Sequence, residues 1–279
     1  MKITLAKSAG FCLGVKRALS IAHDIAKTND KVYMLGDIVH NEDVVRDIKA
    51  IGIKKAKKLT RCTKKTLLIR AHGIPLKIRE RAQKLGYHIV DATCPMVEEI
   101  HKIAIAMESQ GFPVIVIGDK KHDEVKGIVG QLRYKALVLE DTKDIPVKKL
   151  KSFSKAAVVV QSTQNTENVS EIIAVLKTLI KDIRFFNTIC KPTRTRQDEI
   201  RKLAKANETI IIIGSKTSAN TKRLYQISKS LNRRTYWVQS ADGLKKSWFK
   251  GVKTVGVDSG ASTPDSTTNS VINQIRSYP

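Results

Sequence analysis

Tyr87-His88-Ile89-Val90-Asp91-Ala92-Thr93-Cys94-Pro95-Met96-Val97 decides how this chain folds, because its outline recurs. An apolar, strand-like run leads into a cysteine, and a helix-like run over residues 97–107 leads away from it. The same order occurs at Ile3-Thr4-Leu5-Ala6, then Cys12, then the amphipathic run 15–27. It occurs again at Ile183-Arg184-Phe185-Phe186, then Cys190, then the run 196–206. Three cysteines at strand-to-helix junctions, roughly a third of the chain apart, make a threefold internal repeat. A thiol just ahead of a helix N-terminus has its thiolate favoured by the free N–H groups and the dipole, as a metal ligand requires. Spacing alone leaves a second reading open, three half-buried structural cysteines.

Between the cysteines, strand-like and helix-like runs alternate, which argues for α/β lobes with parallel sheets. After Cys12 come strand 31–35, a polar turn with His40, helix 42–51, strand 66–70, a second polar turn with His72, and helix 76–85. After Cys94, strand 113–117 ends in Gly118-Asp119-Lys120-Lys121-His122-Asp123-Glu124. A short strand 136–139 follows, then strand 156–160, which ends in Gln161-Ser162-Thr163-Gln164-Asn165 and opens helix 167–180. After Cys190, strand 209–213 ends in a turn holding Ser218 and Asn220, with helix 221–231 and strand 235–238 beyond it. Strand 254–257 then ends in Asp258-Ser259-Gly260-Ala261-Ser262-Thr263-Pro264 before a terminal helix. The expected lobes are 12–93, 94–189, and 1–11 together with 190–279. In the second and third repeats the strand before the cysteine belongs to the preceding lobe, so residues 1–6 should complete the sheet of the last one, closing a ring. Ligands of open α/β sheets collect beyond the C-terminal strand ends, so all six polar turns could face one central cavity.

The 279 residues are 42% hydrophobic with no low-complexity tract, an ordered chain throughout. Lys2, Lys7, Lys16 and Arg17 interrupt any apolar core of a secretory signal, and no run approaches the ~20 apolar residues of a membrane span. A cytoplasmic protein without membrane contact is expected. Four dispersed cysteines without a C-x-x-C pair then argue for reduced thiols or metal ligation rather than a disulfide framework. Cys62, in a polar basic stretch away from any strand-to-helix junction, reads as a non-ligand. The formal charge of +25 attracts anionic partners. Nucleic acid is disfavoured, since only 5% of residues are aromatic and no nucleic-acid motif accompanies the scattered basic clusters. An acidic redox partner, or plain solubility, suits such a surface.

Taken singly, His40, His72 and His122 pass for turn histidines, Ser218, Asn220 and Ser262 for helix caps, and Glu124 for a first-turn carboxylate favouring its helix dipole. Taken together, hydroxyl, amide and imidazole groups at equivalent places beside helix starts form a cradle for phosphate oxygens. Three converging thiolates suit an iron–sulfur cube with one iron left without a protein ligand. A structural zinc held by three cysteines and one histidine is the competing use. A basic nucleic-acid-binding protein with such a zinc, or a metal-free phosphate-sugar-binding module, remains the alternative function.

With those residues in view, the chain closely resembles the family of 4-hydroxy-3-methylbut-2-enyl diphosphate reductases of the non-mevalonate isoprenoid pathway. The resemblance spans nearly the whole length. It rests on Gly10-Phe11-Cys12-Leu13-Gly14-Val15, Val39-His40-Asn41, Ala71-His72-Gly73, Asp91-Ala92-Thr93-Cys94-Pro95 and Gly260-Ala261-Ser262-Thr263-Pro264-Asp265. It implies three pseudo-threefold-related α/β lobes around one [4Fe-4S] cluster with three cysteine ligands, matching Cys12, Cys94 and Cys190. It further implies a diphosphate pocket at His40, His72, His122, Ser162, Thr163, Ser218, Asn220 and Ser262, with Glu124 as the acid. The implied reaction is two-electron reductive dehydroxylation of the allylic diphosphate at the open iron, fed by an acidic ferredoxin or flavodoxin. Three departures stand out: Ser162 where the family has threonine, Ala219 where it has serine, and Gly118-Asp119-Lys120-Lys121 ahead of His122 in place of a Gly-His-x-Gly pattern.

Overall fold

The computed structural model describes residues 1–29 and 31–278. Its elements open with β1 (Lys2–Leu5) and α1 (Leu13–Thr28). There follow β2 (Val32–Met34), α2 (Glu42–Ala50), β3 (Lys54–Lys55), β4 (Lys65–Ile69), α3 (Leu76–Lys84) and β5 (Tyr87–Asp91). The next group is α4 (Pro95–Ser109), β6 (Val114–Ile117), α5 (Asp123–Val129), β7 (Leu137–Leu139), α6 (Val147–Leu150), β8 (Lys155–Val160), α7 (Thr166–Leu179) and β9 (Asp182–Phe185). The last is α8 (Lys191–Ala206), β10 (Thr209–Ile213), α9 (Ala219–Leu231), β11 (Thr235–Val238), β12 (Thr254–Ser259) and α10 (Asp265–Arg276).

Three four-stranded sheets result, ordered β3-β2-β4-β5, β7-β6-β8-β9 and β1-β12-β10-β11. All pairings are parallel. Numbered from the first strand after each of Cys12, Cys94 and Cys190, each sheet has the order 2-1-3-4, the fourth strand being the one that precedes a cysteine. In the third sheet that strand is β1, with Ile3 opposite Val255 and Leu5 opposite Val257. The start of the chain thus completes the last sheet, as the repeat implied. Without β1, the N–H and C=O groups along that side of β12 would have no strand partner.

The chain divides into two compact units, one of Met1–Lys16, Val39–Asp47 and Lys191–Pro279, the other of Arg17–Ile38 and Ile48–Cys190. In the second of these, β6 and β8 are buried on both faces, which is why they read as continuous Val/Ile/Ala runs rather than alternating ones. Ile115, Ile117, Val158 and Val160 pack on Ile172 and Leu176 of α7; Val114, Val116 and Val159 pack on Ile100 and Ala104 of α4 and Ile128 of α5. Each of the valine, isoleucine and leucine side chains contributes roughly 1.5–3 kcal/mol. The turn after β4 is fastened to the α5 region of the neighbouring sheet. Arg70 Nη1 meets Asp123 Oδ2 at 2.6 Å, Leu76 N–H donates to Gly130 O (3.0 Å) and Gln131 Nε2 donates to Ile74 O (2.8 Å).

In the other unit, Ile211, Ile213, Val255 and Val257 face Val271 and Ile275 of α10. Ile210 and Ile212 face Ile200 and Leu203 of α8 and Leu224 and Ile227 of α9. Several elements differ from the sequence reading, the unexpected short helix α6 among them. Helix α8 begins five residues before 196, because Pro192 is tolerated in a first turn. Strand β12 runs through Asp258 and Ser259, whose polarity suggested a turn. The basic pair Lys54–Lys55 forms the short edge strand β3, an edge that charge protects.

Candidate functional site

In each sheet the first and third strands so numbered are neighbours, and the chain leaves them in opposite directions. The crevice beyond their C-terminal ends is where open α/β sheets bind ligands. In the second sheet these strands are β6 and β8, and their turns carry His122, Glu124, Ser162 and Thr163. In the third they are β10 and β12, whose turns carry Ser218, Asn220 and Ser262. In the first, His40 follows β2 and His72 follows β4.

Glu124 is 2% exposed and sits in the first turn of α5, yet its carboxylate does not serve its own helix. Oε1 accepts the Ser162 N–H at 2.6 Å and Oε2 accepts the Ser162 hydroxyl at 2.9 Å. Burial pushes its pKa up to about 7, against the two Ser162 hydrogen bonds and with help from the Asp119 charge. A carboxyl so tuned carries a proton near neutral pH and can give it up, the profile of a general acid.

His122 caps α5 by accepting the Glu124 N–H at Nδ1, 3.2 Å away. That fixes the tautomer: in the neutral ring the proton is on Nε2, a donor suited to an anion. The His72 ring lies edge to face with it, centroids 5.3 Å apart. Gly73, at φ +72°, lets the His72 turn approach His101, since a Cβ there would lie 2.9 Å from the His101 ring. Burial pushes the His101 pKa down to about 4 against the attraction of Asp91, so this ring is neutral packing, not a charge. Thr163 accepts from Gln161 Nε2 at 3.1 Å.

In the third sheet's turns, Ser218 is the N-cap of α9 and accepts the Thr221 N–H at 3.3 Å, leaving its hydroxyl proton to donate. Asn220 is buried in the same first turn, and its Nδ2 has no hydrogen-bond partner, an orphaned donor where an anion would sit. Ser262 does not cap a helix. It donates its hydroxyl to the His40 carbonyl at 3.0 Å and so fixes the His40 turn. Asn41, which the sequence reading passed over as a site residue, caps α2 by accepting the Val44 N–H at 3.1 Å. An asparagine directly ahead of two acidic residues is an N-terminus signal.

The three cysteines following β1, β5 and β9 are held alike. Each donates its N–H to the carbonyl two residues beyond the end of the neighbouring strand: Cys12 to Ala261 (3.2 Å), Cys94 to Ala71 (3.0 Å) and Cys190 to Ser162 (3.1 Å). Each opens a helix of 15 or 16 residues, each is half-buried, and none is in a disulfide. Each thiol thus stands at the positive end of a helix, where its thiolate form is favoured. Cys62 lies apart from this pattern, in the loop between β3 and β4, with its N–H on Leu85 O and its side chain packed on the cluster of Leu59, Leu67, Ala82 and Tyr87. Sequence reasoning also missed Arg196, Glu199 and Asp258. Arg196 falls in register with Ile200 and Leu203 on the buried stripe of α8, which was the available signal.

Among the described residues no helix is long and apolar enough to cross a membrane. Residues 3–276 match the family described as LytB protein. A 4-hydroxy-3-methylbut-2-enyl diphosphate reductase of Aquifex aeolicus (strain VF5) is 40% identical over 267 residues, covering 94% of this chain and 92% of that protein. Its namesake from Geobacter sp. (strain M21) is 39% identical over 276 residues, covering 99% and 97%. Among solved structures, an (E)-4-hydroxy-3-methyl-but-2-enyl diphosphate reductase, described as the terminal enzyme of the non-mevalonate pathway, is 40% identical with a TM-score of 0.71, covering 99% of both chains. The E-1-hydroxy-2-methyl-but-2-enyl-4-diphosphate reductase from Plasmodium falciparum is 27% identical with a TM-score of 0.90, covering 100% of this chain and 89% of that one.

Proposed function

The chain belongs to the LytB protein family, and from that premise we propose that it reduces (E)-4-hydroxy-3-methylbut-2-enyl diphosphate to isopentenyl and dimethylallyl diphosphate. The allylic C–O bond breaks, its oxygen leaves as water, and a C–H bond forms, consuming two electrons and two protons. One observation carries most weight. Ser162 joins the buried acid to a cysteine, its N–H and hydroxyl on Glu124 and its carbonyl accepting from Cys190.

Cys12, Cys94 and Cys190 would hold a [4Fe-4S] cluster. Such a cluster, when bound, supplies the electrons and a Lewis-acidic iron without a fourth protein ligand. The diphosphate is held by His40, His72, Nε2–H of His122, the Ser218 hydroxyl, the orphaned amide of Asn220, Thr163 and, after its hydroxyl turns from the His40 carbonyl, Ser262. This anchoring orients the far end of the substrate toward Glu124. Glu124 gives its proton to the departing oxygen, and Ser162 keeps the carboxyl aimed while it does so. The three lobes 12–93, 94–189, and 1–11 with 190–279 each contribute one thiol and two turns. An acidic ferredoxin or flavodoxin as donor matches the net charge of +25, and the setting we infer is cytoplasmic.

The test is direct. Anaerobically purified protein, given the substrate and an artificial one-electron reductant, should yield both C5 diphosphates by mass spectrometry. Unreduced substrate after many equivalents of reductant would remove the reading.

A further inference from the structure

The loop that carries Cys12 has little hydrophobic anchorage. Leu13 is 80% exposed and Phe11 only half-buried, so packing does not dictate where the thiol points. Polar contacts do. Most come from one turn of α8, the helix that begins after Cys190. Glu199 Oε1 accepts the Lys7 N–H at 2.5 Å, while Oε2 accepts both the Ser8 N–H at 2.9 Å and the Ser8 hydroxyl at 2.5 Å. One turn earlier, Arg196 is 3% exposed and donates from Nη2 to Gly10 O at 2.6 Å and from Nη1 to Ser259 O at 2.9 Å. Ser259 Oγ in turn accepts the Gly10 N–H at 2.8 Å. Gly10 holds φ +87°, and a Cβ on it would run into the Asp265 carboxylate.

A guanidinium taken out of water is costly unless the fold uses it. Here it ties a loop to a strand end through two carbonyls, with the half-buried Glu199 carboxylate as its countercharge. Burial pushes the Glu199 carboxyl up, but its Ser8 and Lys7 donors and the Arg196 charge more than offset this and leave it below its usual range.

We propose that Arg196 and Glu199 form a clamp that presets the Cys12 loop for its ligand role, so that these two are positioning residues for the metal centre. The ligand role rests on the reading under Proposed function, while the clamp itself is a property of the loop. A ligand on a slack loop returns to its metal more slowly after each dissociation, so loosening the clamp speeds metal loss.

The experiment compares anaerobically purified wild-type protein with Glu199→Gln and Arg196→Lys. It reads amide hydrogen exchange over residues 6–12, exchange over β10 as an internal reference, and the rate of iron transfer to a ferrous chelator. In Glu199→Gln, exchange at Lys7 and Ser8 should rise about tenfold or more, β10 should be unchanged, and iron release should accelerate in parallel. Arg196→Lys, which keeps the charge but cannot serve both carbonyls, should fall between. Wild-type exchange in the loop of both variants would overturn the clamp. So would a rise shared equally by β10, since that is only lost global stability. If Glu199→Gln does not fold, Ser8→Ala removes one of the three donors and should give a smaller change in the same direction. Iron-free wild-type protein would sink the cluster reading, and the exchange comparison would still decide whether the clamp presets the loop.

Discussion

Glu124 holds Ser162 with both of its carboxylate oxygens, one on the backbone N–H at 2.6 Å and one on the hydroxyl at 2.9 Å. The two residues come from turns beyond β6 and β8, neighbouring strands whose chain connections diverge. That divergence opens the crevice in which they meet. The pairing does two things at once. It fixes the direction of a fully desolvated acid, and its hydrogen bonds restrain a pKa that burial alone would drive higher.

Glu124→Gln keeps the shape of the side chain and removes the transferable proton. Turnover should fall by about two orders of magnitude or more, with substrate affinity and visible absorbance nearly unchanged. In the wild type, the acid form is lost as pH rises through about 7, so kcat should decline on that alkaline side. Steady-state assays across pH check both. A flat alkaline limb would take Glu124 out of the acid role.

Ser162→Ala removes one of the two bonds that lower the Glu124 pKa. The alkaline limb should therefore move to higher pH while kcat drops, because the carboxyl loses its second fixed contact. Ser162→Thr retains the hydroxyl and should keep the wild-type profile. An unmoved limb in the alanine variant would show that the hydroxyl does not tune the acid.

Much of this was legible in the sequence. Residues 87–97 revealed the repeat because a strand run, a cysteine and a helix run are local patterns, and the repeat in turn placed residues 1–6 in the last sheet. Pairing between distant polar groups was not legible. Asp258 and Ser259 looked like a turn because their polarity is unusual for a buried strand, and what makes it tolerable at Ser259 is contact with the Gly10 loop and Arg196, far away in the chain. Ser262 looked like a helix cap, yet its partner is the His40 carbonyl, 222 residues distant. Short-range periodicity carries no information about such partners.

Asp258 is fully buried, with Oδ2 unpartnered, and burial pushes its pKa up to about 7 against the pull of Arg196. An acid whose folded pKa exceeds its unfolded value favours the fold below the unfolded pKa and loses that contribution as pH rises through the folded one. Stability should thus fall between about pH 4 and about pH 7 on its account. Asp258→Asn should narrow the difference in unfolding free energy between about pH 5 and about pH 8 by roughly 2 kcal/mol. Denaturant titrations at the two pH values measure it.

Gly73→Ala places a methyl group in the left-handed region and 2.9 Å from the His101 ring, with Thr93 Cγ2 at 3.4 Å on another side. The variant should lose about 2 kcal/mol of stability. It should also bind substrate more weakly, since the His72 turn must shift. Thermal unfolding together with KM tests this, and an unaltered pair of values would mean that the turn yields freely.

Iron and acid-labile sulfide, measured in anaerobically purified wild-type protein and in four single Cys→Ser variants, bear most directly on the central claim. The account predicts about four irons per chain in the wild type and in Cys62→Ser, with the cluster lost or strongly depleted in Cys12→Ser, Cys94→Ser and Cys190→Ser. An iron-free wild type, or loss of iron on replacing Cys62 alone, would contradict it.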